Sequence, residues 1–246
     1  MTRILFDITG TDRVDFLQGL ITNDVTKLKD GLLYAALLTP QGKFLTDFFL
    51  LENGDTITLD APATTADDLA RRLTMYKLRA DVQIAPSTLN VKRGTGSAPE
   101  NALLDPRHEA LGWRLYGTEV GDDGTDYDAI RTAHCIPETG IELIPNETYI
   151  LEAGFERLNG VDFRKGCYVG QEIIARMKHK TTLKKGFVTV GITGTAPIGT
   201  PITANGKPAG TLFTQSGGKA IAYLRFDRAK GELQAGDATI TPPPLP

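Results

Sequence analysis

The sequence predicts an α+β protein that ends in a separate all-β module. Three observations carry this. The first 180 residues interleave apolar stretches of helical period with β-prone runs. Beyond Lys180 the helical period vanishes, leaving short β-prone runs divided by Gly, Pro and Asn. A length of 246 residues is enough for two or three subdomains with a sizeable core.

Thr11 or Asp12 can cap a helix in which Val14, Leu17 and Ile21 share a face, with Phe16 and Leu20 beside them. Gly31 closes the turn after it. Residues 32–38 and 43–51 are β-rich, and Pro40-Gln41-Gly42 between them reads as a hairpin turn. Asn53-Gly54-Asp55 is a second turn before an alternating strand over residues 56–60. A helix follows over 67–78, with Leu69, Leu73 and Tyr76 on one side and Asp68, Arg71 and Arg72 toward solvent. Short strands are expected at 82–85 and 89–92, and loops at 94–100 and 121–128. Residues 130–134 end a helix, and 171–178 form another that buries Ile173, Ile174 and Met177. The runs 187–192, 201–204, 210–215 and 220–226 have the spacing of a small barrel or sandwich, and Pro242-Pro243-Pro244 is a tail.

Composition narrows the function. Hydrophobic content of 41% with 23% charged residues is that of an ordinary globular protein, and a net charge of −3 argues against a surface built wholly for nucleic acid. The start Met1-Thr2-Arg3-Ile4-Leu5-Phe6-Asp7 reads as a strand rather than a signal peptide, and no apolar run reaches the roughly 20 residues of a membrane helix. A cytosolic protein with no membrane partner and no disulfide framework is expected from this and from only two cysteines, Cys135 and Cys167. Those cysteines and His108, His134 and His179 show no zinc spacing, and one chain with two cysteines cannot hold an iron–sulfur cluster alone. Iron–sulfur chemistry here would need a partner. No Gly-x-Ser-x-Gly elbow supports a hydrolase. The aspartates at 122–128 lack the ligand spacing of a calcium loop and read as a solvated acidic loop.

The octapeptide Lys165-Gly166-Cys167-Tyr168-Val169-Gly170-Gln171-Glu172 is the strongest chemical signal. Its glycines suit a tight backbone that comes close to a ligand. Lys165 and a helix starting just after the cysteine both favour a negative sulfur. Downstream, Arg176, Lys178, Lys180, Lys184 and Lys185, with His179 among them, read either as a solvated helix end or as a patch for an anionic tail or an RNA phosphate. We read Arg176 toward a ligand and the later lysines as solvated or steering a partner.

The octapeptide resembles the signature of the YgfZ family, folate-binding relatives of the glycine-cleavage aminomethyltransferase (T-protein). The likeness extends to Phe16-Leu17-Gln18-Gly19 with Thr22-Asn23-Asp24-Val25, to Thr39-Pro40-Gln41-Gly42-Lys43 leading to Asp47, to Arg131 through Pro137-Glu138, to Pro145 and Glu147, and to Val161-Asp162-Phe163. It implies an aminomethyltransferase-like three-part fold: residues 1–50 and 129–180 as a discontinuous α+β folate-binding subdomain, 51–128 as a second, and 181–246 as the barrel. The implied cofactor is tetrahydrofolate or a derivative, in a pocket to which Asp47, Glu147 and Arg176 contribute.

The implied role is to support assembly or maintenance of iron–sulfur proteins, including tRNA-modifying enzymes, with those proteins or cluster carriers as clients. Cys167 and Asp47 would carry chemistry, Asp47 near the reactive nitrogen of the folate. Glu147 would hold the pterin, whose adjacent N–H donors match a carboxylate. Lys165, Gly166, Tyr168, Gly170, Gln171 and Glu172 would complete the site. Two alternatives stay open: a folate-dependent one-carbon transferase or demethylase that uses Asp47 without Cys167, and a binding module that contacts RNA through residues 176–185. One departure stands out. Relatives commonly have glycine where this chain has Cys135, which would be strained if φ there is positive.

Overall fold

The structure, a computed structural model, describes residues 2–180 and 182–244 and every side chain among them but that of Lys180. Contacts divide the chain into two compact units, one of residues 1–125, 145–147 and 155–175, the other of 126–144, 148–154 and 176–246.

The first unit is built on an antiparallel sheet of β1 (Arg3–Thr9), β2 (Leu33–Leu38), β3 (Phe44–Asn53), β4 (Thr56–Pro62) and β5 (Gln83–Pro86), in the order β2-β3-β4-β1-β5. The sheet does not stop at residue 50, since β3 runs through it and β4 follows beside it. One face is apolar. Phe6, Ile8, Leu33, Ala35, Leu37, Phe48, Leu50, Ile57, Leu59 and Ala61 pack there against α1 (Arg13–Gln18), a 3-10 turn (Val25–Asp30) and α2 (Ala63–Tyr76). Leu17 from α1 and Ala66, Leu69 and Leu73 from α2 point into this core. Full burial of each leucine contributes about 2 kcal/mol.

Because side chains alternate along a strand, the register fixes what lies on the opposite face. Tyr34 pairs with Phe49, Ala36 with Asp47, Phe49 with Asp60 and Leu5 with Asp60. Tyr34, Asp47, Phe49, Asp60 and Arg3 therefore share one side. A second sheet in the unit has β6 (Asn90–Gly94), β7 (Leu103–Leu104), β8 (Trp113–Gly117) and β9 (Gly121–Asp122), in the order β7-β8-β6-β9.

Several boundaries differ from expectation for local reasons. Asp12 precedes α1, but its carboxylate accepts the Asp81 backbone N–H at 2.8 Å instead of capping its own helix. The second helix begins at Ala63, because β4 runs straight into it through Pro62, and it ends at Tyr76, with Leu78 beyond it at φ 46°. The acidic loop is shorter than its composition suggests. Gly121–Asp122 pair with β6 in parallel, and Asp126 caps α3 (Tyr127–His134) by accepting from the Ala129 N–H at 3.0 Å.

α4 (Gln171–Lys180) starts in the first unit and ends in the second. Within it Ile174 is buried, whereas Ile173 and Met177 are only half-buried. The second unit closes a six-stranded barrel from β10 (Lys185–Thr193), β11 (Pro201–Ala204), β12 (Lys207–Ser216), β13 (Lys219–Arg225), β14 (Leu233–Ala235) and β15 (Ala238–Thr241), in the order β10-β13-β12-β11-β14-β15. Its interior is small-sided, with Ala204, Ala209, Ala220, Ala222 and Ala235 set among Ile202, Leu212, Leu224, Leu233 and Ile240. That composition suits a barrel of this size, where side chains must fill a narrow lumen.

Arg131 ties α3 to the barrel. Its guanidinium bonds Glu142 at 3.0 Å, Glu138 at 2.9 Å, Asp128 at 3.0 Å and the Thr214 hydroxyl at 3.0 Å. Glu142 is fully buried and also accepts from the Glu138 N–H at 2.9 Å and the Thr214 hydroxyl at 2.5 Å. Glu142→Ala leaves a buried guanidinium, a hydroxyl and an amide short of an acceptor, so it should cost about 3 kcal/mol or more in urea unfolding. Glu138→Ala, at a partly exposed position, should cost clearly less.

Candidate functional site

The octapeptide is anchored at its first residue by a knot of buried polar groups. Thr22 donates its hydroxyl to the Gly160 carbonyl at 2.6 Å and accepts the Ala36 N–H at 2.9 Å. The Asn23 amide donates to the carbonyls of Tyr34 at 2.8 Å and Asn159 at 2.7 Å. Gln18 reaches Asp24 and the Val25 N–H at 3.1 and 2.8 Å, and the Asp162 N–H donates to the Thr22 carbonyl at 3.0 Å. Lys165 completes the knot by donating to the carbonyls of Gln18, Ile21 and Asn23 at 2.8, 2.6 and 2.9 Å. Burial pushes its pKa down to about 8, while Asp24 and Asp162 pull the other way.

Lys165 thus has a structural part that its sequence position did not show, since all three ammonium hydrogens are donated to backbone carbonyls. Gln171, four residues beyond Cys167, opens α4.

The loop is fixed at its other end too. Tyr168 is buried, its ring under the Lys165 ammonium at 5.1 Å, and burial pushes its phenol up to about 12. The Gln171 side chain accepts the Tyr168 N–H at 3.1 Å, which satisfies a donor at the helix entry. Gly170 has φ +82°, and a Cβ there would stand 2.5 Å from the Thr39 carbonyl oxygen, so no other residue fits without moving the backbone. Gly166 is different: its φ is not positive and nothing lies within 4 Å of a would-be Cβ. Gly166 and Cys167 are left exposed between two fixed points, and Cys167 is a free thiol. Glu172 is exposed as well.

Gly170 packs on the β2–β3 hairpin, whose Gly42 would place a Cβ 3.0 Å from that of Ile173. Lys43 from the same hairpin donates to the Glu147 carbonyl at 2.8 Å, and the Asn146 N–H donates to the Phe44 carbonyl at 2.8 Å. Glu147 therefore sits beside the hairpin with its side chain exposed. Arg176 is exposed and belongs to the second unit, as do the exposed Lys178, His179, Lys184 and Lys185. Lys185 is 3.7 Å from Glu152 and 5.5 Å above the Tyr223 ring. The Lys180 side chain falls outside the described residues.

Asp47 is buried at 3% exposure, not the solvent-facing strand residue that its type suggests, and it accepts the Tyr34 hydroxyl at 2.9 Å. Around it lies a charge network that the sequence reading missed. Asp60 bonds Arg3 at 2.6 Å, Arg114 at 3.2 Å and the Tyr116 hydroxyl at 2.9 Å. Arg114 continues to Asp105 at 3.0 Å, and Asp105 takes Arg107 in two bonds of 2.9 and 2.8 Å. The guanidinium groups of Arg3, Arg107 and Arg114 lie 5.4, 4.9 and 3.9 Å from the Phe49 ring centre. Burial alone would raise the Asp105 carboxyl, but Arg107 and Arg114 together hold it well below the usual range. Burial, with Asp47 beside it, raises Tyr34 well above an ordinary phenol, so Tyr34 stays a donor.

Cys135 occupies the left-handed position that ends α3, at φ 51° and ψ 54°. That conformation costs a non-glycine residue on the order of 1 kcal/mol. Cys135 is buried and in no disulfide. Among the described residues no three His, Cys, Asp or Glu side chains gather as a metal site, and no helix is long and apolar enough to cross a membrane.

Comparison with known proteins agrees with this architecture. Residues 184–245 match the family described as CAF17, C-terminal beta-barrel domain. The iron-sulfur cluster assembly factor IBA57, mitochondrial, of Mus musculus is 29% identical over 278 residues, covering 94% of this chain and 78% of that protein. The human protein of the same name is 28% identical, with the same coverage of each. In fold, the glycine cleavage system aminomethyltransferase T from Bartonella henselae superposes with a TM-score of 0.77 over 99% of this chain and 83% of its own, at 15% identity. The fold is thus that of the aminomethyltransferase, with a closed C-terminal barrel.

The two cysteines should separate cleanly in a labelling experiment. With limiting iodoacetamide on the native protein, Cys167 should alkylate fast and Cys135 only after denaturant is added, as followed by peptide mass spectrometry. Equal labelling of both in the native protein would contradict the geometry.

Proposed function

We propose that this chain is a tetrahydrofolate-binding factor that supports assembly or maintenance of iron–sulfur proteins, including tRNA-modifying enzymes. The observation that carries the reading is the exposed thiol of Cys167, held on a loop fixed at Lys165 on one side and at Tyr168 and Gly170 on the other. A thiolate is a soft ligand for iron, and one thiolate cannot hold a cluster by itself. The remaining ligands would come from a cluster carrier or client. Relatives named as iron–sulfur cluster assembly factors support this assignment.

The folate half of the reading draws on the first unit. Glu147 offers an exposed carboxylate beside the hairpin, suited to the paired N–H donors of a pterin edge. Asp47 offers a fixed acceptor for a folate nitrogen. A one-carbon transferase would rest on Asp47 alone and would not need the thiol, so Cys167 distinguishes the two.

Two measurements test the proposal. Tetrahydrofolate at a hundredfold excess over its dissociation constant should stabilise the protein by about 2.7 kcal/mol in thermal unfolding. Cys167→Ser should leave melting nearly unchanged yet sharply lower the activity of iron–sulfur enzymes in cells that depend on this chain, with Cys135→Ser far milder. Full client activity with Cys167→Ser would defeat the thiol role, and absence of any shift with tetrahydrofolate would defeat the folate half.

A further inference from the structure

We infer that one end of the C-terminal barrel is a binding surface for RNA, with lysines and arginines for its phosphates and a polar recess for a ribose. The barrel is the basic part of an acidic chain. Residues 184–245 hold seven lysines and arginines against three aspartates and glutamates, whereas the whole chain has a net charge of −3. The topology concentrates that surplus. Lys185 pairs in register with Arg225, and Ala204 pairs with both Lys207 and Leu233. The Arg228 guanidinium donates to the Pro208 carbonyl at 3.4 Å. The start of β10, the end of β13 and the turn between β11 and β12 thus meet at one end of the barrel. Lys184, Lys185, Lys207, Arg225, Arg228 and Lys230 are all exposed there. Lys185 lies 3.7 Å from Glu152 and Arg225 3.4 Å from Asp227, while Lys184, Lys207 and Lys230 have no side-chain partner among the described residues.

The side chains favour phosphate over a protein partner. Four of the six cations are lysines, a residue that protein–protein interfaces exclude, and the core of such an interface is apolar. Ile198, the one strongly exposed large hydrophobic of the second unit among the described residues, precedes β11, whereas the cations gather beyond its other end. Flexible lysines suit the repeated charges of a phosphodiester backbone. Next to Lys207 lies a recess of about 110 Å³ lined by Thr203, Asn205, Gly206, Glu232 and Gln234. Its four polar side chains make no hydrogen bond among the described residues. A carboxylate, two amides and a hydroxyl can accept from and donate to a 2′-hydroxyl, and none of them offers the aromatic face on which a base would stack. The recess therefore suits a sugar rather than a base, and RNA rather than DNA.

The test is fluorescence anisotropy of the full chain with labelled oligouridylate, oligodeoxyuridylate and polyglutamate as probes. Raising salt from about 50 to 200 mM should weaken oligouridylate binding on the order of a hundredfold, the response of about five phosphate contacts. Lys207→Glu should weaken it about tenfold at low salt. Lys219→Glu is the same charge change at the opposite end of β13 and should alter affinity less than about twofold. Both positions are exposed, so both variants should melt as the wild type does. Equal losses in the two variants, or no oligouridylate binding by the wild type, would overturn the surface. The two oligonucleotides differ in the 2′-hydroxyl alone. The wild type should prefer oligouridylate about fivefold, the scale of one hydrogen bond, and Glu232→Ala with Gln234→Ala should bring that ratio close to one. The ratio is the readout because loss of the Glu232 charge tightens both. Equal affinity of the wild type for the two would overturn the ribose recess and the commitment to RNA. Polyglutamate bound as tightly as oligouridylate, with the same loss in Lys207→Glu, would make this a surface for an acidic protein and overturn the RNA assignment.

Discussion

The ammonium of Lys165 is the interaction on which the geometry around Cys167 depends. It gathers three backbone carbonyls from the end of α1 and the loop beyond it. Lys165 also brings residues far apart in the chain to one point, since Gln18, Ile21 and Asn23 precede it by more than 140 positions. Thr22, Asn23, Gly160 and Asp162 then close around the same point. The loop that leaves this knot has two exposed residues before Tyr168 buries it again. A short tether between two anchors keeps its side chain in a small volume, which lowers the entropy lost when anything docks on it.

The first sheet divides its labour between its faces. The apolar face supplies the core energy, while the other carries the network of arginines, aspartates and tyrosines around Phe49. Buried ion pairs of this kind add little net stability, but deletion of one partner leaves a stranded charge and is severe. The network is better understood as a device for fixing the directions of its own side chains.

Much of this was legible in the sequence, and what was not has physical reasons. The hairpin, the all-β C-terminal module and the helix after the octapeptide followed from turn residues and periodicity. The strands Leu233–Ala235, which has no β-branched or aromatic residue, and Ala238–Thr241 did not. The alternation over residues 56–60 showed two unlike faces, but not that Asp60 is buried. Period two reports that faces differ, not that the polar one meets solvent. The structural part of Lys165 was not legible either, because the carbonyls it bonds lie more than 140 residues earlier in the chain. Of the two glycines beside the cysteine, only Gly170 is demanded by backbone geometry. The positive φ at Cys135 was readable as a risk, since glycine is the usual occupant of such a position.

The most direct test of the account separates the thiol from its anchoring. Lys165→Met keeps the length of the side chain and leaves Cys167 in place, but removes all three donors. In cells that depend on this chain, at a temperature where the variant remains folded, client iron–sulfur enzyme activity should fall toward that of a strain carrying Cys167→Ser. Client activity equal to wild type in the folded Lys165→Met protein would contradict the claim that the fixed loop is what makes the thiol useful.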